Sequence, residues 1–318
     1  MNDVLEWHFA RTKGILQQAK RKVLHSQPHC HTYAKRVLLD VEQGAQCIYE
    51  LLQSNQPCMI GRYGAVELDV LSSAMVESAA ADKALMKCHK KGHIYKNAGF
   101  FPEDIAQLKQ FTRVMKESGM DADYIGVWFN TMEDYVIDQC TPKTAKIGLL
   151  RSIEPWYASN TIWTQALAGK KVLVIHPFSS TIRSQFLHRE SLFADQRILP
   201  QFELIAQKAV QTAANEKDSR FSTWFEALEF MYEEAMRQDF DVAVLGCGAY
   251  GFPLAAMLKR AKKKAVHMGG ATQLLFGIKG KRWDTHPVIS GLYRDTWVRP
   301  DDQERPKRAD IVEDSCYW

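Results

Sequence analysis

The stretch that most restricts the fold of this chain is Phe240 to Gly251. There the apolar run Phe240 to Leu245 gives way at once to Gly246-Cys247-Gly248-Ala249-Tyr250-Gly251. A short apolar run bounded by breakers reads as a strand covered on both faces, as in a parallel sheet. Three glycines at this spacing, followed by the helical pattern Phe252 to Ala261, carry the chain tightly from strand into helix. Such a turn has two readings. Its backbone can approach a phosphate at the helix N-terminus, or it can simply pack helix on sheet. The dinucleotide version needs an acidic residue about twenty positions further on. His267-Met268-Gly269-Gly270 stands there instead, which argues against NAD.

The same punctuation recurs along the chain. Lys171 to Pro177 is a continuous apolar run after Gly169-Lys170, and Ala265 to Met268, Pro57 to Gly61 and Tyr124 to Phe129 are shorter ones. Helical stripes run over Ala65–Met75 and Trp224–Arg237, and Ser179-Ser180-Thr181 offers caps for a helix through Phe186. Pro102-Glu103-Asp104 suits the first turn of another helix. Strands alternating with helices predict a Rossmann-like α/β fold, a mostly parallel sheet with helices on both faces.

Ahead of this domain, assigned to residues 55–318, residues 1–54 read as an N-terminal helical segment. Leu5, Phe9, Ile15, Leu16, Val23 and Leu24 recur at helical spacing among Lys13, Lys20, Arg21 and Lys22. Such a basic amphipathic helix either packs on the domain or lies on an anionic membrane surface. A second helix is predicted over Ala34–Gln53. The charged tail Pro300–Asp314 reads as a surface segment.

Composition narrows the function classes. With 46% hydrophobic and 25% charged residues in 318, the chain can bury a proper core. A net charge of +4 is too mild for a nucleic-acid binder. No run approaches the ~18 apolar residues of a membrane span. Met1 to Lys22 shows no apolar signal-peptide region, so a cytoplasmic location is expected, with peripheral contact at the inner face of the membrane if the first helix rests there. Seven scattered cysteines without a CxxC pair exclude a disulfide framework or zinc ribbon. His29-Cys30-His31 and Cys88-His89 lack a second ligand pair at zinc spacing.

Three further loops carry candidate chemistry. Gly269-Gly270 is a second glycine turn, followed by Lys279, Lys281 and Arg282 among glycines and Trp283. From Lys259 to Arg282 there are eight basic side chains and no acidic one, so this loop suits either a diphosphate or an ordinary solvated surface. His176 and Ser179 follow a buried strand, where open α/β sheets bind ligands, although Ser179 also suits a helix cap. Finally, Arg62, Gly64 and Glu67 sit on a strand-to-helix turn, where a carboxylate can act as a base or hold a cation, or only pair with arginine.

This last turn, Ile60 to Leu68, resembles the Arg-x-Gly-Asp-x-Glu turn of the GT-D-type glycosyltransferases of bacterial surface polysaccharide and glycoprotein synthesis. Asn97 to Pro102 is similar to that family's Asn-x-Gly-Phe loop. Val244 to Gly251 and Gly269 to Trp283 are similar to its later glycine turns, so the matches run from about residue 55 to 300. The resemblance implies transfer of a sugar from a nucleotide-sugar donor to a glycan or glycoconjugate acceptor. It also implies an Asp-x-Glu motif on Mn2+ or Mg2+. The Glu position falls on Glu67, the implied catalytic and metal-binding residue, and the Asp position falls on Ala65. One motif carboxylate is therefore missing. The resemblance leaves two expectations: an active transferase, or an impaired partner subunit scaffolding a polysaccharide-synthesising complex. Donor-binding positions are Arg62, Gly64, His176, Ser179, Gly246, Gly248, Gly251, Gly269, Gly270, Lys281 and Arg282.

Overall fold

The computed structural model describes residues 2–24, 30–216, 218–311 and 316–318. Among them, nine strands form one sheet: β1 (Thr32–Tyr33), β2 (Arg36–Leu39), β3 (Met59–Gly61), β4 (Tyr124–Val127), β5 (Lys146–Leu149), β6 (Lys171–His176), β7 (Glu203–Lys208), β8 (Val242–Leu245) and β9 (Lys264–His267). Their order across the sheet is β1-β2-β5-β4-β3-β9-β8-β6-β7. Every pairing is parallel except β1 with β2. The expected Rossmann-like α/β architecture is the one observed.

The alternation of side chains across a strand explains why these runs are apolar throughout. Leu173, Ile175, Ala243, Leu245 and Ala265 enter one buried cluster, with the helices Ile105–Gly119, Trp224–Met236 and Gly251–Arg260. Val172, Val174, Val242, Val244 and Val266 enter a second cluster on the opposite face, with residues of the helix Val41–Gln53 and of the segment Trp163–Leu167. A core on each face leaves no position for a polar residue inside β6 or β8.

Several expectations need correction. The helix predicted over Ala34–Gln53 begins only at Val41, because Arg36–Leu39 is a strand that pairs with β5. Asp40 caps the helix in a reciprocal box with Gln43. The helix near Pro102 starts at Ile105, capped by Asp104. The tail is no free surface segment, since Glu304 within it is buried and bonded to the main chain beyond β6. Residues 312–314 of that tail lie outside the described residues.

The first helix, Asn2–Leu24, is present but shows a different face to the body than its apolar pattern predicts. Trp7 is buried and its Nε1 donates to the Ser72 carbonyl, while Leu5, Phe9, Ile15 and Leu16 are exposed. The side chains of Val23 and Leu24, and His29, lie outside the described residues. All seven cysteines are free thiols. No helix of the described residues is long and apolar enough to cross a membrane.

Candidate functional site

Parallel strands deliver their C-terminal ends to one edge of the sheet, and adjacent strands whose connections leave in opposite directions open a crevice there. β6 and β8 are such a pair: β6 runs on to β7 at the outside, β8 to β9 toward the middle. A cavity over this crevice is walled by His176, Phe178, Tyr250, Gln273, Tyr317 and Trp318. A second cavity lies over the ends of β3, β4, β5 and β9, bounded by Arg62, Glu67, Trp128, Glu154, His267 and Arg282. Asn97, Ala98, Gly248, Gly270 and Tyr317 border both, so the two form one continuous cleft.

In the second cavity the central group is Arg62, just beyond β3. Its guanidinium stacks on Trp128 at 4.9 Å and lies directly over Gly269, where any Cβ would collide with it. Trp128 is fixed in turn by its indole N–H, which donates to the Tyr63 carbonyl at 3.0 Å. Among the described residues Arg62 makes no hydrogen bond or ion pair, so its planar fork of donors is positioned yet unspent.

Three glutamates surround this arginine, and burial raises the pKa of each. Glu67 is the third residue of the helix Ala65–Ser73. Its carboxylate folds back over Gly64, the cap position, so closely that a Cβ there would displace it. Desolvation raises its pKa, opposed by a bond from its own N–H and by Arg62. Part of Glu67 still borders the cleft, so the surrounding protein removes its water without sealing it from a ligand. Burial pushes Glu154 to about 7 against the charges of Arg62, Arg151 and Arg282. Burial likewise takes Glu133 to about 8, although the Trp128 and Asn130 amides donate to it at 3.2 and 3.0 Å.

The carboxylates also show where an anion is not wanted. Glu67 lies over Gly64 in the turn after β3, and Glu133 accepts two amides of the turn after β4. After β6, Glu304 accepts from the Ser180 amide at 2.7 Å and from the Thr181 amide and hydroxyl at 3.3 and 2.5 Å. The positive end of the helix Ser179–Phe186 is thus occupied by the chain's own carboxylate. Like the helices after β3, β4 and β6, those after β8 and β9 have no side-chain cap, but among the described residues no carboxylate accepts from their amides. Their orphan N–H groups are the ones left to meet an external anion.

In the first cavity His176 is buried, and its Nδ1 accepts the Phe178 amide at 2.9 Å. Burial lowers its pKa to about 3, so the ring is neutral. An accepting Nδ1 on a neutral imidazole puts the proton on Nε2, which becomes a fixed donor. His267 at the end of β9 is also buried and held neutral, mainly by desolvation, at about 3.

The glycines divide by role. Gly246 and Gly251 are packing positions, since a Cβ would strike His176 and Thr272 at the first and His267 at the second. Gly248 has φ +58 with open space beyond it, so its need is conformational. Gly270 lies under the Tyr317 ring. The segment Cys316–Trp318 holds this region together. The Arg282 amide donates to the Cys316 carbonyl, one Arg282 guanidinium nitrogen donates to the Tyr317 hydroxyl, and Gln273 Nε2 donates to the Tyr317 carbonyl.

Of the sequence-derived candidates, Arg62, Gly64, Glu67, His176, Gly246, Gly248, Gly269, Gly270 and Arg282 converge on the cleft. Ser179, Gly251 and Lys281 border neither cavity. Trp128, Glu154 and Tyr317 were not singled out from the sequence. Ala65, at the place of the motif Asp, is exposed beside Glu67. No group of three or more His, Cys, Asp or Glu among the described residues is placed to hold a metal ion.

No family model matches the chain, and no curated protein matches it. Among solved structures, it is similar to one described as "the highly conserved domain of unknown function 1792 has a distinct glycosyltransferase fold". That match has 11% identity over 86% of this chain and 95% of the other, with a TM-score of 0.46. A selenomethionine-substituted structure of domain of unknown function 1792 matches with the same identity and coverage, at a TM-score of 0.44. The roles of the residues rest on the cleft's own geometry.

Proposed function

We propose that this chain is a glycosyltransferase that binds a nucleotide-activated sugar along the cleft. The diphosphate lies at the Gly269–Gly270 turn beneath Arg62, and the nucleoside points into the aromatic cavity beside His176. The observation that carries this reading is the Arg62 guanidinium, stacked on Trp128 over Gly269 with its donors uncommitted among the described residues. The turns after β8 and β9, whose amides no carboxylate of the described residues accepts, support it, as does a neighbouring slot walled by Phe178, Tyr250 and Trp318 and bordered by His176. The motif resemblance of Ile60–Leu68 and Gly269–Trp283 extends the reading to a glycan or glycoconjugate acceptor in bacterial surface polysaccharide assembly.

In this chemistry an acceptor hydroxyl attacks the anomeric carbon as the bond from that carbon to the diphosphate oxygen breaks. The electron pair leaves with the nucleoside diphosphate, and Arg62 and Arg282 stabilise the charge that grows there. The hydroxyl proton passes to Glu67, whose desolvated carboxylate is more basic than an exposed one. The residues present do not fit a protein-held Mn2+ or Mg2+. Ala65 supplies no ligand, and the described residues bring no third carboxylate to Glu67.

That same gap favours a second reading, a catalytically impaired subunit that keeps the fold and binds within a polysaccharide-synthesising complex. Titration calorimetry of the protein with a panel of nucleoside diphosphates and nucleotide sugars, followed by turnover assays, separates the two. The transferase reading expects binding and donor consumption. Arg62→Ala is expected to weaken binding by about ten- to a hundredfold, from the loss of a charge-assisted contact of about 1.5–3 kcal/mol, with an unchanged thermal midpoint. Binding without turnover, together with stoichiometric co-purification with another transferase, selects the subunit. Binding of no nucleotide removes the transferase reading.

A further inference from the structure

Two arginines border the second cavity, and each rests on an aromatic ring. Arg62 lies over Trp128. The Arg282 guanidinium lies 5.2 Å from the ring centre of Tyr317 and 5.5 Å from that of Trp283. Unlike Arg62, half-buried just beyond β3, Arg282 is exposed and stands on the short turn Lys281–Trp283. A long side chain in such a place loses rotamer freedom when a ligand orders it. That loss weakens binding unless the protein has ordered the side chain beforehand. Burial raises the pKa of Glu154, and the charge of Arg282 is among those that oppose the rise, so the guanidinium is felt within this cavity.

Tyr317, 35 positions further along the chain, supplies that order. Its hydroxyl accepts from an Arg282 guanidinium nitrogen at 2.9 Å. The tyrosine is itself fixed by two bonds to its main chain and its neighbour's. The Arg282 amide donates to the Cys316 carbonyl at 3.0 Å, and Gln273 Nε2 donates to the Tyr317 carbonyl at 3.1 Å. The ring lies on Gly270, where a Cβ would stand 2.5 Å from a ring carbon and 3.2 Å from the hydroxyl oxygen. Gly270 does not have a positive φ, so the side chain it lacks makes room for this ring. A single oxygen therefore joins the Arg282 guanidinium to the Gly269–Gly270 turn. We propose that Tyr317 is a positioning residue of the cleft, holding Arg282 beside that turn where the guanidinium meets the donor diphosphate. The inference rests on the proposed function and names the residue through which Arg282 serves it.

A double-substitution cycle of Tyr317→Phe and Arg282→Ala tests it, read by titration calorimetry of the full chain with a panel of nucleoside diphosphates. Tyr317→Phe keeps the ring on Gly270 and removes only the hydroxyl. Alone, it is expected to weaken diphosphate binding about three- to tenfold, because Arg282 regains the freedom that binding must then remove. In the Arg282→Ala background the same change is expected to alter affinity by less than about twofold. A tyrosine with a merely structural role would cost the same in both backgrounds, so equal losses overturn the proposal. Unchanged affinity in Tyr317→Phe alone overturns it as well. In both of those cases nucleotide binding by the parent leaves the proposed function standing. A parent that binds no nucleoside diphosphate removes the transferase reading and this inference with it.

Discussion

The turns after β3, β4 and β6 and those after β8 and β9 stand at the same edge of one sheet, yet they are finished differently. One of the chain's own carboxylates lies at each of the first three, Glu67, Glu133 and Glu304. The other two are closed by nothing but glycine-rich backbone. Helix N-termini attract anions wherever they occur, so an anion site is identified less by a favourable turn than by the absence of an internal competitor. The strongest sequence fingerprint, Gly246 to Gly251, illustrates this. Two of its three glycines serve packing, and the ligand-facing work passes to Gly248 and to Gly269–Gly270.

The sharpest way to break this comparison is Glu67→Gln, because Glu67 both lies over Gly64 and borders the cleft. Turnover is expected to fall about 10²-fold or more as the base is lost, while the thermal midpoint barely moves, since the amide keeps an acceptor over Gly64. Full turnover in this variant removes Glu67 from the chemistry, and unfolding returns it to a purely structural role.

Glu304→Ala examines a closed turn with no role in the cleft. Three donors lose their acceptor at once, and unfolding measurements are expected to show a loss of about 1–3 kcal/mol, with nucleotide affinity unchanged. If inorganic phosphate restores that stability, the turn after β6 is an anion site held shut by Glu304.

Glu133 brings pH into the comparison. Its folded pKa of about 8 lies above the ordinary value of 4.5, so the folded chain holds its proton more tightly than the unfolded one. Stability contributed by the protonated form is complete below pH 4.5 and is lost as pH rises toward 8. Denaturant titrations are expected to show stability declining over that window, and Glu133→Gln should flatten the decline. A slope that survives the substitution belongs to another group.

The smallest effect is expected at Gly248→Ala, which pits conformation against space. With φ +58 and room for a Cβ, the cost is the left-handed backbone, about 1 kcal/mol, and nucleotide affinity changes only slightly. A large loss of affinity would place the ligand directly against this backbone.

The legibility of the chain followed burial. β6, β8 and β9 were evident because strands covered on both faces must be apolar at every position. β7, at the sheet edge with half-exposed side chains, carries no such pattern. β2 was read as the start of a helix because Val37, Leu38 and Leu39 have the same composition as the helix after them. The signal that divides them is Asp40 with Gln43, a capping box that places the helix start at Val41. In the cleft, Arg62, Glu67, Gly269 and Arg282 were visible as charges and glycines in loops. Glu154 and Tyr317 enter only through contacts between distant segments, which no local pattern encodes.

Arg62 and Gly269 touch, yet more than two hundred positions of chain separate them. They are brought together by β3 and β9, which pair in register at the centre of the sheet, Met59 beside Ala265. Closing so long a loop is slow and gains nothing until the pairing is made. The cleft is therefore among the last features of the molecule to exist during folding, after its helices and outer strands. A ligand held there bridges residues from both halves of the sheet, and so acts as a clasp on the whole fold.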